Sequence, residues 1–340
     1  MIAAFCTEPG RLELREVDAP HPGPDDVVVK VRSCGICGSD LHWFHGGFPA
    51  PPVCPGHEIS GEVVEVGTGV SDVRGGDRVA IEPLMVCGEC WGCRTGDYQL
   101  CRRLHIVGTT VDGGFAEYLR MPAYAAFRLP DTVDYEVGAF AEPLAVCTHA
   151  ARLADVRLGD RVLVIGAGTI GLLAAAACTA GGAEVWITAR HPQQRTAAAA
   201  LGAARVFSGP DAARELADAA HDASIDAVIE TVGGTADTLN EAITLVRRGG
   251  TVLVLGVFTT MPTLNALALV LREVRIIGSL TYGRSGPRAD FDVALQLLAA
   301  QPERFRALIT HRIGLNDINN GFTIAADKRS GAIKVAVQPG

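Results

Sequence analysis

The chain has 340 residues, enough for two hydrophobic cores rather than one. With 38 acidic against 30 basic side chains its formal charge is −8, which argues against a nucleic-acid backbone or an anionic membrane surface as partner. Hydrophobic residues make up 48%, aromatic residues only 6%, and there are 39 Gly and 18 Pro, the balance of a globular α/β protein. The opening Met1-Ile-Ala-Ala-Phe-Cys6 meets Glu8 without a basic start or a long apolar core, so no secretory leader is expected. The apolar run at 172–180 is too short to cross a bilayer. Ten cysteines in that setting read as metal ligands and reduced thiols, with cytoplasm as the expected compartment.

Residues 1–33 read as strands and turns, with a β-branched strand at Val27-Val-Val-Lys-Val-Arg32 after the Pro/Gly-rich stretch 20–24. An irregular loop is expected next, carrying Cys34-Gly-Ile-Cys37-Gly-Ser39-Asp40-Leu-His42. Together with Gly56-His57-Glu58 it offers a thiolate, an imidazole and a carboxylate as ligands, and further polar groups to orient them. A catalytic zinc requires such a set, with one position left open. Strands are expected at 61–67 and from Gly76-Asp-Arg-Val-Ala-Ile81. Cys87-Gly-Glu-Cys90-Trp-Gly-Cys93, with Cys101 seven residues on, is the sharpest motif. Four thiols at that spacing close a tetrahedral S₄ site and leave no open position, so this zinc would be structural. Unrelated redox thiols rarely fall into such a register. Asp112-Gly-Gly-Phe-Ala-Glu-Tyr118 returns the chain to a strand, and a helix opens near Glu142. That carboxylate either complements the helix dipole or faces the first zinc.

From Asp155 the pattern changes. A continuous apolar run at 161–165 and further strand candidates at 184–188, 205–207, 227–230, 251–255 and 274–277 alternate with helical stretches, which predicts a doubly wound parallel sheet. Strands at 309–313 and 332–337 rejoin the first domain, so the second is an insertion. The first run leads into Gly166-Ala-Gly168-Thr169-Ile170-Gly171 and an Ala-rich helix, the strand–turn–helix context a dinucleotide fingerprint needs. The pyrophosphate would rest on the helix N-terminus. The next strand ends in Ala189-Arg190-His191, with Arg195 following, where an NAD site would carry an acid for the ribose 2′-hydroxyl. Guanidinium in place of carboxylate predicts a preference for NADP(H) over NAD(H).

These motifs, with Arg78-Val-Ala-Ile-Glu-Pro83 and Glu142-Pro-Leu144, resemble the zinc-containing medium-chain dehydrogenases/reductases from end to end, and most closely their sorbitol, ketose and butanediol dehydrogenase branch. The resemblance implies a GroES-like catalytic domain, 1–150 with 284–340, containing a zinc lobe at 84–103, and a Rossmann domain inserted at 151–283. It implies two zinc ions per chain. Cys37, His57 and Glu58 match the catalytic ligands, Glu142 binds the metal directly or through water, Asp40 orients the His ligand, and Ser39 and His42 relay the alcohol proton. Gly256 and Ser279 fall where the family lines the nicotinamide pocket, and Val232 joins the cofactor set.

The expected reaction is hydride transfer between NADP(H) and a secondary alcohol or ketone. Trp43-Phe44 follows His42 where sorbitol enzymes carry an aromatic hydroxyl, and Thr281 stands where they carry an Arg. A vicinal diol, cyclitol, aminocyclitol or threonine-type amino alcohol therefore joins the polyols as candidate substrates, with Arg284 or Arg288 available for a polar substituent. The alternative is a non-catalytic NADP(H)-binding redox sensor or interaction protein on the same fold. Family members are usually homodimers or homotetramers.

Overall fold

The computed structural model describes residues 1–47, 53–285 and 287–340. The chain divides into two compact units, Met1–Glu142 with Gly283–Gly340, and Pro143–Tyr282. The first is built on a seven-stranded sheet. Its main path runs Ile309–Gly314, Lys334–Gln338, Asp26–Gly35, Glu58–Val66, Arg78–Ile81, Ala126–Arg128, and Tyr118–Pro122 also pairs with Asp26–Gly35. Apart from the parallel pair of Ile309–Gly314 with Lys334–Gln338, the ladders are antiparallel.

Alternation explains why the central strand forms. Val27, Val29 and Val31 point inward and pack with Ile59, Val63, Val79, Ile81, Leu119 and Met121. Each such side chain contributes about 1.5–3 kcal/mol by leaving water. Register then places the chemistry. Gly35 pairs with Glu58 on one side and with Ala336 on the other, so Glu58, the strand end before Cys37, and Lys334 converge from three strands.

Two local expectations are corrected. The segment after Gly35 is a helix, Gly38–Phe44, rather than an irregular loop. Cys37 is its N-cap, and the Asp40 carboxylate accepts from the Cys37 N–H at 2.9 Å, a capping interaction that ends the strand and starts the helix. The strand expected from Asp112 begins only at Tyr118. The N–H groups of Gly113, Gly114 and Phe115 donate instead to the carbonyls of Cys54, Gly56 and Pro55, which ties this turn beside His57.

The second unit is a six-stranded, wholly parallel sheet in the order Arg205–Phe207, Glu184–Thr188, Arg161–Ile165, Ala227–Glu230, Thr251–Val254, Arg275–Gly278. The order reverses between Arg161–Ile165 and Ala227–Glu230, and a parallel sheet binds its ligand outside the strand ends at such a switch point. Leu163, Ile165, Val228, Val252, Leu239 and Ile243 form its core.

Candidate active site

Asp40 and His57 face each other in the site. Asp40 is buried, and its Oδ1 lies 3.7 Å from His57 Nδ1. On the other side of the ring, Nε2 is 3.5 Å from Ser39 Oγ, and the negative charge of Cys37 acts on the same imidazole. A carboxylate beside Nδ1 favours the proton there and leaves Nε2 as a lone-pair donor, the arrangement a metal-binding His needs. Burial works against the imidazolium, but the negative charges of Asp40, Cys37 and Glu142 outweigh it and hold the His57 pKa well above its usual value. Burial pushes Glu142 up to about 7; His57 opposes the shift and the Glu58 and Asp40 charges add to it. So much anionic character around one imidazole suits a cation, and a thiol, an imidazole and carboxylates are the donors zinc takes.

Glu58 is held elsewhere. Both its carboxylate oxygens accept from Lys334 Nζ, at 2.6 and 2.7 Å, and the ammonium also donates to the Ile36 carbonyl at 3.1 Å. Both side chains are buried. Burial lowers the Lys334 pKa, but Glu58, Cys37 and Asp40 more than compensate, so it stays charged. Gly35 makes the pairing possible: a Cβ there would lie 1.9 Å from Glu58 Oε2. Lys334 is missing from the residues singled out by sequence. Its signal is one lysine inside the otherwise apolar run Ala332-Ile-Lys-Val-Ala-Val337, since a buried lysine demands a partner.

The four lobe cysteines do come together. Among the described residues, Cys87, Cys90, Cys93 and Cys101 are the only such set whose ligand atoms all lie within 4.8 Å of one another. The Sγ atoms of Cys87 and Cys90 lie 3.8 and 3.5 Å from that of Cys93. Four sulfurs around a zinc at ~2.3 Å would be about 3.8 Å apart, so the spacing fits the ion. The N–H groups of Glu89 and Cys90 bring the Cys87 thiol down to about 6, while burial and the Cys90 and Cys101 sulfurs push Cys93 up to about 12. The lobe is anchored by Tyr98, whose hydroxyl donates to Glu82 Oε1 at 2.5 Å. Arg284 is engaged here too, donating its N–H to Gly96 O and a guanidinium N–H to Pro287 O.

In the second unit the glycine-rich turn is tightly built. Gly166 has φ +99°, and its N–H donates to Thr188 Oγ1 at 2.9 Å. A Cβ on Gly171 would meet Gly166 O at 1.9 Å, which explains why the helix can start so close to the strand. Gly168 caps the helix Thr169–Ala180 and is itself exposed, with nothing near its missing Cβ. Thr169 and Ile170 form its first turn. Ala189 is buried and followed by Arg190, which is exposed; the N–H groups of Arg190 and His191 both donate to Gln194 Oε1. Arg195 is exposed and reaches Ser208 Oγ at 3.5 Å. Gly256 and Ser279 follow the strands Thr251–Val254 and Arg275–Gly278, and Val232 follows Ala227–Glu230.

Comparison with known proteins shows the family. Residues 23–131 match the alcohol dehydrogenase GroES-like domain and residues 169–300 the zinc-binding dehydrogenase domain. Sorbitol dehydrogenase of Bacillus subtilis (strain 168) is 32% identical, over 100% of this chain and 97% of its own length. A zinc-binding dehydrogenase from Sinorhizobium meliloti 1021, solved bound to NADP, superposes with a TM-score of 0.88 at 35% identity and 99% coverage of both chains. The 2R,3R-butanediol dehydrogenase of Bacillus subtilis gives 0.87 at 31% identity, covering 100% of this chain and 99% of its own. The chain belongs to the zinc-type medium-chain alcohol dehydrogenases, in their polyol branch. It is an alcohol or polyol oxidoreductase with a GroES-like and a Rossmann domain.

Proposed function

We propose that this chain transfers hydride between NADP(H) and a secondary alcohol or its ketone, the alcohol being a polyol, vicinal diol, cyclitol or amino alcohol. The observation that carries this reading is His57 held between Asp40 and the Cys37–Ser39 side. Cys37 and His57 would hold the catalytic zinc, with Glu142 and Glu58 as further carboxylates, and the cysteine lobe a second, structural one. A zinc bound there would supply Lewis acidity toward an alcohol oxygen, and a bound dinucleotide would supply the hydride acceptor or donor. The chain's own work is positional. Asp40 fixes the imidazole, and Ser39, at the exposed side of the ring, takes the substrate proton and passes it toward the half-buried His42.

Arg190 and Arg195 support the NADP(H) preference, because both guanidinium groups are exposed where a 2′-phosphate would lie and no acid ends the strand. The proposed assembly is a homo-oligomer through the sheet edge at Arg275–Gly278. That edge strand lacks a partner on one side among the described residues, and Leu267, Val270 and Leu271 of the neighbouring helix Ala266–Arg272 are exposed beside it.

The test is an absorbance screen of NADP(H) and NAD(H), separately, against vicinal diols, sugar alcohols, cyclitols, aminocyclitols, threonine and the matching ketones. Turnover with NADP(H) and one class supports the reading. Turnover only with NAD(H) discards the cofactor preference and keeps the chemistry. Silence with zinc absent from the Cys37 site moves the assignment to a non-catalytic binding protein.

A further inference from the structure

The strand Ala227–Glu230 ends in a carboxylate that the proposed chemistry does not use. Glu230 is fully buried, and its Oε1 accepts three hydrogen bonds, from Val232 N at 2.8 Å, Gly233 N at 2.9 Å and Thr238 Oγ1 at 2.7 Å. Oε2 has no hydrogen-bond partner among the described residues and faces the bare side of Gly256. A Cβ on Gly256 would come within 2.3 Å of that oxygen and 2.4 Å of Gly233 N. The turn held in this way lies at the switch point of the sheet, against the glycine-rich turn. Thr231 Oγ1 donates to Ile165 O at 2.8 Å, and a Cβ on Gly166 would meet Val232 Cγ2 at 2.7 Å. One carboxylate therefore fixes the wall opposite the phosphate turn.

The direction of the peptide groups follows from planarity. With no cis bond among the described residues, each carbonyl of this turn points opposite to the N–H of the next residue. Since Val232 and Gly233 turn their N–H groups inward to Glu230, the Thr231 and Val232 carbonyls point away from it, toward the side on which Val232 is exposed. The two walls thus differ in chemistry. The glycine-rich turn and its helix present N–H donors, which suit phosphate. The facing turn presents acceptors, which repel phosphate and take hydroxyl or amide donors.

We propose that Glu230 is a positioning residue, holding the Thr231 and Val232 carbonyls as acceptors for the hydroxyl- and carboxamide-bearing nicotinamide-riboside half of the dinucleotide. This rests on the chain being a dinucleotide-dependent oxidoreductase. Calorimetric titration of the zinc-loaded chain with NADPH and 2′,5′-ADP, and in parallel with NADH and 5′-AMP, tests it. Losing a buried acceptor shared by three donors should weaken the whole dinucleotide about tenfold or more in Glu230→Ala, with the adenosine fragment unchanged. Glu230→Gln keeps an acceptor oxygen and should restore binding to within about threefold.

The proposal is overturned if Glu230→Ala binds dinucleotide like the unmodified chain, if it loses dinucleotide and fragment in equal proportion, or if Glu230→Gln fails as completely. Should Glu230→Ala not fold, Gly256→Ala must give the same split, because it displaces Oε2 and Gly233 while keeping the carboxylate. An unmodified chain that binds neither dinucleotide overturns the functional reading and this one together. A chain that binds, with unaffected variants, overturns this one alone.

Discussion

Lys334 Nζ lies within 2.7 Å of both carboxylate oxygens of Glu58, 276 positions earlier in the chain, with both side chains withdrawn from solvent. A buried pair of this kind adds little net stability, yet breaking it leaves an uncompensated charge. Lys334→Met should therefore cost about 3–5 kcal/mol of unfolding free energy in the metal-stripped protein. Zinc should recover part of that loss, because the freed carboxylate gains a cation. Denaturant titration with and without zinc checks this, and an equal loss in both would remove Glu58 from the metal site.

Ser39, 3.5 Å from His57 Nε2, is the proposed proton carrier and is neither a sulfur nor a carboxylate donor. Ser39→Ala should lower turnover by about a hundredfold or more, the usual size of a lost acid–base group, with metal content unaltered. Stopped-flow turnover beside elemental analysis decides it; normal turnover means the proton leaves by another route.

Arg190 and Arg195 should separate the two dinucleotides. Replacing both by Ala removes two permanently charged donors from the proposed 2′-phosphate position, and NADPH affinity should fall by about tenfold or more while NADH affinity holds. Equal losses for both cofactors would refute the preference.

Cys101→Ser removes one of four grouped sulfurs. The expected result is one zinc fewer per chain and fast proteolysis between 87 and 103, because so short a lobe depends on its ion. Unchanged zinc content and protease resistance would show that the lobe stands on its own packing.

Glu82 supplies a pH test away from the reacting groups. Burial, reinforced by Asp292 and Asp290, pushes its carboxyl up to about 7 against the opposing Tyr98 hydrogen bond and Arg284 charge. The folded state then holds a proton that the unfolded chain releases nearer 4.5. Stability contributed by this group is present below that unfolded value and falls as pH rises toward 7, by about 3 kcal/mol at most. Glu82→Gln should flatten this part of the pH–stability curve between pH 5 and 8. An unchanged slope in urea unfolding would mean Glu82 titrates normally.

The parallel sheet was legible because its strands are buried on both faces and so read as continuous apolar runs, such as Val162–Ile165 within Arg161–Ile165. The cysteine lobe was legible because its ligands are near neighbours in sequence. The helix Gly38–Phe44 was hidden because Gly, Ser and Asp are poor helix formers, and it depends on Asp40 capping Cys37. Lys334 and Glu230 were hidden for another reason. Their partners are set by strand register and by which way a turn's peptides face, and neither is written in local pattern.

The separation between Glu58 and Lys334 also sets a timetable during synthesis. At 5–20 residues per second, a ribosome needs roughly 15–55 s to extend the chain from one to the other. For that interval the strands around Cys37 and His57 can pair, but the carboxylate at their centre has no ammonium to meet. A nascent chain must therefore keep this part of its first unit hydrated and loosely closed, sealing it only when its counter-charge arrives with the strand Lys334–Gln338.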